Sequence, residues 1–316
     1  MTIAWVIGSG GLLGTALLRA LRRNGTELFS PVERFCWDSG PALESQIAAA
    51  VQAFACKAGA TDRWEIYWAA GVGTMSSAQD VLAPETHALA LLLQLLESDP
   101  GLMAKSGAMA FASSAGAIYA GSRDDIITEN TSPAPTTFYA REKLRQEDLV
   151  SAFALKNCGT TALMARISTL YGPGQAAGKQ QGLLTHMARR ILRNQPIQIY
   201  VPYDTIRDYI VADDAAVAMV NTLERASEKP LALTKIIASE HPTTIAEIIS
   251  IFKRIARRAP RIVTSASQLS CLYSRRVQFR SIVAPESARL TATSLPVGIA
   301  QLMMEERANF VRSCAK

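Results

Sequence analysis

Apolar positions in the first half of the chain follow two alternating rhythms. Short continuous runs rich in β-branched and aromatic residues read as strands buried on both faces. Longer stretches, with Leu and Ala recurring every three or four positions, read as amphipathic helices. Residues 3–7 form the first strand pattern, and Leu13, Leu17, Leu18 and Leu21 make one face of the helix behind it. Residues 27–32 are a weaker second strand, interrupted by Pro31. Helical spacing then covers 44–54, strand pattern 65–70, and a Leu-rich helix 85–97. Residues 108–113 read as a strand, 139–153 as a helix and 161–167 as a strand. Repeated strand–helix units predict an α/β chain whose parallel sheet is covered by helices on both sides. After Tyr171 the rhythm changes: a loop-like YGPGQAAGKQQG stretch leads into a basic helix over 183–193, and further helices alternate with short strands. A smaller, mixed C-terminal lobe is expected there. No internal repeat or low-complexity tract is present.

With 49% hydrophobic residues over 316 positions, the chain has ample material for a large core, and a disordered chain is excluded. The longest candidate apolar run, 88–96, is broken by Gln94 and falls short of the ~20 residues needed to span a bilayer. The opening MTIAWVIGSG lacks a basic n-region, so no signal peptide is expected. Five widely spaced cysteines (36, 56, 158, 271 and 314) suit neither a disulfide framework nor a CxxC metal site, and point to a reducing cytoplasm. Three isolated histidines (His87, His186 and His241) make no metal site either. The net charge of +6 is mild, and the basic residues are scattered rather than gathered into a stripe with interleaved aromatics. Nucleic acid is therefore not the expected partner, whereas a small polyanion such as a nucleotide diphosphate fits.

Directly after the first strand comes Gly8-Ser9-Gly10-Gly11-Leu12-Leu13-Gly14, which fits GxxGxxG. Small residues let such a turn tighten, let the backbone approach a pyrophosphate and let the helix pack on the strand. The N–H groups and dipole of the following helix favour the phosphates. An acid some 20 residues further on would hold the adenosine ribose of NAD, and an arginine would suit the 2′-phosphate of NADP. Glu33 and Arg34 offer both, so the choice between NAD and NADP stays open, with NAD favoured.

Tyr139 and Lys143 lie one helical turn apart on the same face. A free tyrosine titrates near ~10, too high for a base at neutral pH. A neighbouring ammonium favours the phenolate. A strand ending in Ser113-Ser114 precedes the pair, and a hydroxyl there is placed to hydrogen-bond the same substrate oxygen.

With these features the chain resembles the extended short-chain dehydrogenase/reductase family, in its NAD-dependent epimerase/dehydratase branch acting on nucleotide sugars. The likeness rests on the glycine turn, Trp68-Ala69-Ala70, SSAGAIYAG (113–121), YAREK (139–143), RISTLYGPGQ (166–175), TIRDYIVADDAA (205–216) and IASEHPTTIAEII (237–249). It implies a Rossmann-type, doubly wound parallel sheet formed by residues 1–171 and 204–238, and a smaller mixed α/β substrate lobe formed by 172–203 and 239–316. Gly8, Gly10, Gly11, Leu12, Leu13, Gly14, Glu33, Arg34, Ala69 and Ala70 would meet the dinucleotide. Tyr139 would be the acid and base, Lys143 would bind the nicotinamide ribose and tune Tyr139, and Ser114 would polarise the reacting oxygen. Arg207 would meet the substrate pyrophosphate, its alternative being a surface pair with Asp208. Arg275 or Arg276 would add a phosphate contact.

Three departures from the family pattern bear on the site. Counting back from Tyr119 places Ala115, not a hydroxyl residue, at the usual Ser/Thr position, so Ser114 serves if the loop carries one extra residue. Thr169 replaces the usual asparagine after the RxS strand, within the substrate pocket, and a helix asparagine is replaced near His87. The expected reaction is nucleotide-sugar epimerisation at C4 of the hexose through a keto-sugar. An NADPH-dependent 4-keto nucleotide-sugar reductase is the nearer alternative, and a non-catalytic dinucleotide-binding protein the more distant one. A 4,6-dehydratase is disfavoured, because Ala115-Gly116 supplies neither the extra acid nor the base. The resemblance further implies a homodimer packed through helices that include the one bearing Tyr139.

Overall fold

The computed structural model describes residues 1–157, 159–175, 182–226, 232–265, 276–283 and 293–314. The first half alternates strands β1 (Thr2–Ile7), β2 (Glu27–Phe29), β3 (Arg63–Trp68), β4 (Ser106–Ser114) and β5 (Thr160–Ile167) with helices α1 (Leu12–Arg23), α2 (Gly40–Ala58), α3 (Gln79–Glu97), α4 (Pro100–Met103), α5 (Ala115–Ile118) and α6 (Phe138–Lys156). There follow β6 (Thr169–Tyr171), α7 (Leu183–Leu192), β7 (Ile197–Ile199), β8 (Ile206–Arg207), β9 (Tyr209–Val211) and α8 (Ala212–Ala226). The chain then forms β10 (Ala232–Ile237), β11 (Thr243–Thr244), α9 (Ile245–Ala256), β12 (Ile262–Thr264) and α10 (Leu295–Cys314).

Six strands pair in the order β10-β5-β4-β3-β1-β2, all parallel. Alternate residues of one strand feed two different cores, which is why the strands read as unbroken apolar runs. Ile3, Trp5 and Ile7 pack with Phe54, Leu89 and Phe153 of α2, α3 and α6 on one face. Ala4 and Val6 pack with Leu17 and Leu21 of α1 and Met219 of α8 on the other. A separate apolar cluster joins Met187 and Ile191 of α7, Ile197 of β7, Phe252 of α9 and Leu302 of α10.

The strand and helix order follows the sequence pattern, while several limits differ for physical reasons. β2 ends at Phe29 rather than at 32, short of Pro31, which has no N–H to donate to the ladder with β1. α2 starts at Gly40 and α3 at Gln79, several residues before the predicted starts. Pro41 sits in the first turn of α2, where its missing N–H costs nothing. Pro84 is accommodated inside α3, where it gives up the bond to the carbonyl one turn back and crowds that carbonyl with its ring.

Candidate active site

The chain leaves β1 to one side to form β2 and returns to the other side to form β3, so the direction of strand addition reverses between β1 and β3. Ligands of open α/β sheets bind beyond the carboxyl ends of the strands at such a switch point. The glycine turn lies there, and its spacing has a steric cause. Gly8 has φ +86°, and a Cβ on it would fall 2.5 Å from the amide nitrogen of Ala70 at the end of β3. A Cβ on Gly14 would fall 2.1 Å from the carbonyl oxygen of Gly8, so α1 approaches the turn closely only with glycine there. Gly10 faces open space, and no side chain caps the N-terminus of α1 at Gly11. These residues fit a dinucleotide: a tight turn, an exposed backbone surface and helix N–H groups that take no side-chain acceptor. Leu12 opens α1, and Leu13 points into the adjacent cavity. Glu33 and Arg34 are both exposed, just past the end of β2.

The cavity beside the turn measures about 220 Å³ and brings together Ala69, Ala70, Glu85, Ser114, Tyr139 and Lys143. Thr137 caps α6, its hydroxyl accepting from the Ala140 N–H at 3.2 Å, so Tyr139 stands in the first turn of the helix. Lys143 falls on the buried stripe of α6 with Ala140, Glu147 and Val150. Its ammonium lies 4.8 Å from the centre of the Phe111 ring and 5.9 Å from that of Tyr139. Burial pulls the Lys143 ammonium below its ordinary range, and the carboxylates of Glu85 and Glu147 draw it back up. The Tyr139 phenol is pushed up to about 12, first by burial and then by the charge of Glu85, while a side-chain hydrogen bond with Ser114 pulls the other way. Ser114, which lines the cavity with Tyr139, is the hydroxyl that acts on the phenol; Ala115 is fully buried and opens α5.

Ser113 faces a different partner. Its hydroxyl donates to Oε1 of Glu147 at 2.6 Å, and that carboxylate also takes Arg166 in two-pronged fashion, Nη2 to Oε2 at 2.7 Å and Nε to Oε1 at 3.0 Å. Arg166 reaches on to the Tyr119 hydroxyl. This buried network ties the ends of β4 and β5 to α6 one turn beyond Lys143.

Arg207 is half-buried on β8, its Nη1 donating to the Ile206 carbonyl at 2.8 Å. The alternative of a surface pair with Asp208 is excluded, because Asp208 is buried and accepts from the hydroxyls of Ser168 and Ser239 and from the Ser239 N–H. Ser168 and Leu170 line the cavity, and Thr169, between them on β6, is not among its walls. Arg276 is exposed, and Arg275 lies outside the described residues. His87 is exposed on α3 beside Glu44, with Nε2 and Oε1 2.9 Å apart. Among the described residues no three metal-binding side chains come together, and no helix is long and apolar enough to cross a membrane.

Sequence reasoning passed over Ser168 and, more importantly, Glu85. A signal for Glu85 was present: it shares the buried face of α3 with Leu82, Thr86, Leu89, Leu92 and Leu93, where an acid is out of place.

The sequence model of the NAD dependent epimerase/dehydratase family matches residues 4–233. Over 101 residues the chain is 33% identical to the dTDP-L-rhamnose 4-epimerase of Burkholderia thailandensis, a match covering 32% of this chain and 28% of that protein. Over 114 residues it is 32% identical to the dTDP-4-dehydro-6-deoxyglucose reductase of Escherichia coli, covering 36% and 35%. Each match thus spans little more than a third of the relative at most. The crystal structure of the Thermus thermophilus UDP-glucose 4-epimerase in complex with NAD shares the fold, with a TM-score of 0.79 at 18% identity over 97% of this chain and 99% of that one. The chain belongs to the NAD dependent epimerase/dehydratase family.

Proposed function

We propose that this chain is an NAD(P)-dependent nucleotide-sugar epimerase that acts at C4 of the hexose through a transient keto-sugar, with NAD the favoured dinucleotide. The reading is carried by one observation: Ser114, Tyr139 and, one turn further along α6, Lys143 line one cavity that opens beside the glycine turn. Gly8, Gly10, Gly11, Leu12, Leu13 and Gly14 hold the pyrophosphate, and Ala69 and Ala70 close the same crevice. Glu33 and Arg34 would hold the adenosine ribose, and Lys143 the nicotinamide ribose. A bound nicotinamide supplies the two-electron redox chemistry at the reacting carbon. Tyr139, as phenolate, takes the proton of the sugar hydroxyl and returns it when the alcohol re-forms. Ser114 hydrogen-bonds the same oxygen and holds it in line. Arg207 supplies a guanidinium to the nucleotide diphosphate, with Arg276, Arg275 and Thr169 toward the rest of the substrate. Residues 1–171 and 204–238 carry the dinucleotide in this reading, and 172–203 and 239–316 carry the sugar. The enzyme works as a homodimer in the cytoplasm, where the free, exposed Cys36 and Cys56 stay reduced.

The two serines separate chemistry from stability. Ser114→Ala is expected to lower kcat while leaving the unfolding midpoint in denaturant unchanged. Ser113→Ala is expected to spare kcat and cost about 1–3 kcal/mol, because the buried Glu147 carboxylate loses one of its charge-assisted hydrogen bonds. Equal, slight effects on kcat would remove Ser114 from the mechanism.

A second reading, an NADPH-dependent 4-keto nucleotide-sugar reductase, is favoured by Arg34 and by the stretch similar to the reductase. Cofactor accounting distinguishes them. An epimerase regenerates its dinucleotide every cycle, so dinucleotide should co-purify and the nicotinamide absorbance should show no net change while a nucleotide sugar turns over. Steady oxidation of added NADPH in step with product would replace the epimerase by the reductase.

A further inference from the structure

Glu85 is a carboxylate in an apolar setting. It projects from the buried face of α3 into the cavity that holds Ser114, Tyr139 and Lys143. Its Oε1 accepts from the backbone N–H groups of Val72 at 2.5 Å and Gly73 at 2.8 Å, in the turn between β3 and α3. That turn lies against the reacting tyrosine: a Cβ on Gly73 would fall 3.1 Å from Cδ2 of Tyr139 and 2.5 Å from Cδ2 of Leu82. Gly71, with φ +153°, lets the backbone fold over the carboxylate.

A clamp on two N–H groups does not require a charge, since an amide or hydroxyl oxygen accepts them as well. A buried carboxylate carries a desolvation cost that a neutral acceptor avoids. The cation in the same cavity wall is Lys143, itself buried, and the charges of Glu85 and Glu147 both favour its ammonium form. Glu147 is engaged with Arg166 and Ser113, whereas Glu85 stands on the cavity side. The polar and charged groups around Tyr139 are therefore Lys143 from its own helix, with its ammonium 5.9 Å from the ring centre, and Ser114 from β4 and Glu85 from α3 in the same cavity wall. The Glu147–Arg166 pair stands behind Lys143.

We propose that Glu85 is a positioning residue of this site: one carboxylate oxygen fixes the 71–73 turn against the Tyr139 ring, and its charge completes, with Lys143, the electrostatic setting of the phenol. Glu85 opposes ionisation of Tyr139 while the cavity holds no added positive charge, and an incoming cationic ring offsets it. The inference rests on the reading of Tyr139 as the acid and base, and its test needs no substrate.

Tyrosinate absorbance after a stopped-flow jump to alkaline pH reports the phenol before the protein unfolds. Subtracting the same trace from Tyr139→Phe isolates Tyr139. Glu85→Gln, which keeps an oxygen acceptor and drops the charge, should lower the Tyr139 midpoint by about one pH unit or more. The exchange of the Val72 and Gly73 amides with deuterium should stay slow in that variant and speed up at least about tenfold in Glu85→Ala, which loses the clamp. An unchanged midpoint in Glu85→Gln, or unchanged amide exchange in Glu85→Ala, overturns the proposal. Absence of turnover with every nucleotide sugar would overturn the epimerase reading while leaving these two measurements to decide the role of Glu85.

Discussion

Tyr139→Phe is expected to cut turnover by roughly 10²–10⁴, the range for loss of a general acid–base group, while dinucleotide affinity stays near that of the native chain. The substitution keeps the ring that packs against Gly73 and removes only the hydroxyl, in the cavity that Ser114 also lines. Binding measured by titration calorimetry and kcat measured on the same preparation separate the two effects. Retained turnover would exclude Tyr139 from the chemistry. The same residue sets an expected pH dependence. With the phenol held up to about 12, its base form is scarce at neutral pH in the free protein, so raising the pH supplies more of it. The pH profile of kcat/KM should therefore climb on the alkaline side, and Tyr139→Phe should flatten it.

Glu147→Ala is expected to be the most destabilising single change at this site, by about 3–5 kcal/mol, as for removal of one partner of a buried ion pair. Arg166 and Glu147 keep only 9% and 7% of their side-chain surface exposed, so water does not replace the lost carboxylate. The deletion strands the guanidinium and also orphans the Ser113 hydroxyl. Denaturant unfolding provides the measurement, and a loss below about 1 kcal/mol would mean that the network is bridged by water or relaxes freely. Activity should fall because the junction of β4, β5 and α6 loosens, so lowering the temperature should partly restore it. Tyr139→Phe, which removes the reacting group itself, should show no such recovery.

The alternation of strands and helices was legible because each parallel strand is buried on both faces, as with Ile3, Trp5 and Ile7 on one side and Ala4 and Val6 on the other. The glycine turn was legible for a local reason as well: a turn between a strand and a helix one residue apart from self-collision tolerates only glycine at positions such as Gly14. Limits of elements were less so. The apolar spacing that marks α2 and α3 starts later than the helices do, because Pro41 fits the first turn of α2 at no hydrogen-bond cost and the packed face of α3 tolerates Pro84 in its interior.

Spacing along one helix is a property of the chain alone, so the shared face of Tyr139 and Lys143 follows from 3.6 residues per turn. What stands opposite that face is not. Whether Ser113 or Ser114 meets the tyrosine depends on where α6 crosses the end of β4, a packing contact between segments more than 20 residues apart. Asp208, read as a candidate surface partner of Arg207, is instead sealed beneath Ser168 and Ser239. Glu85 shows the division most clearly. Its place on an apolar face was written in the Leu spacing of α3, but its electrostatic effect on Tyr139 and Lys143 arises only when α3 and α6 pack side by side and exclude water between them. Local periodicity and turn sterics act within a few residues and can be read from the sequence. Burial, and the charge interactions it strengthens, depend on which distant segments close over a group, and that the tertiary structure alone decides.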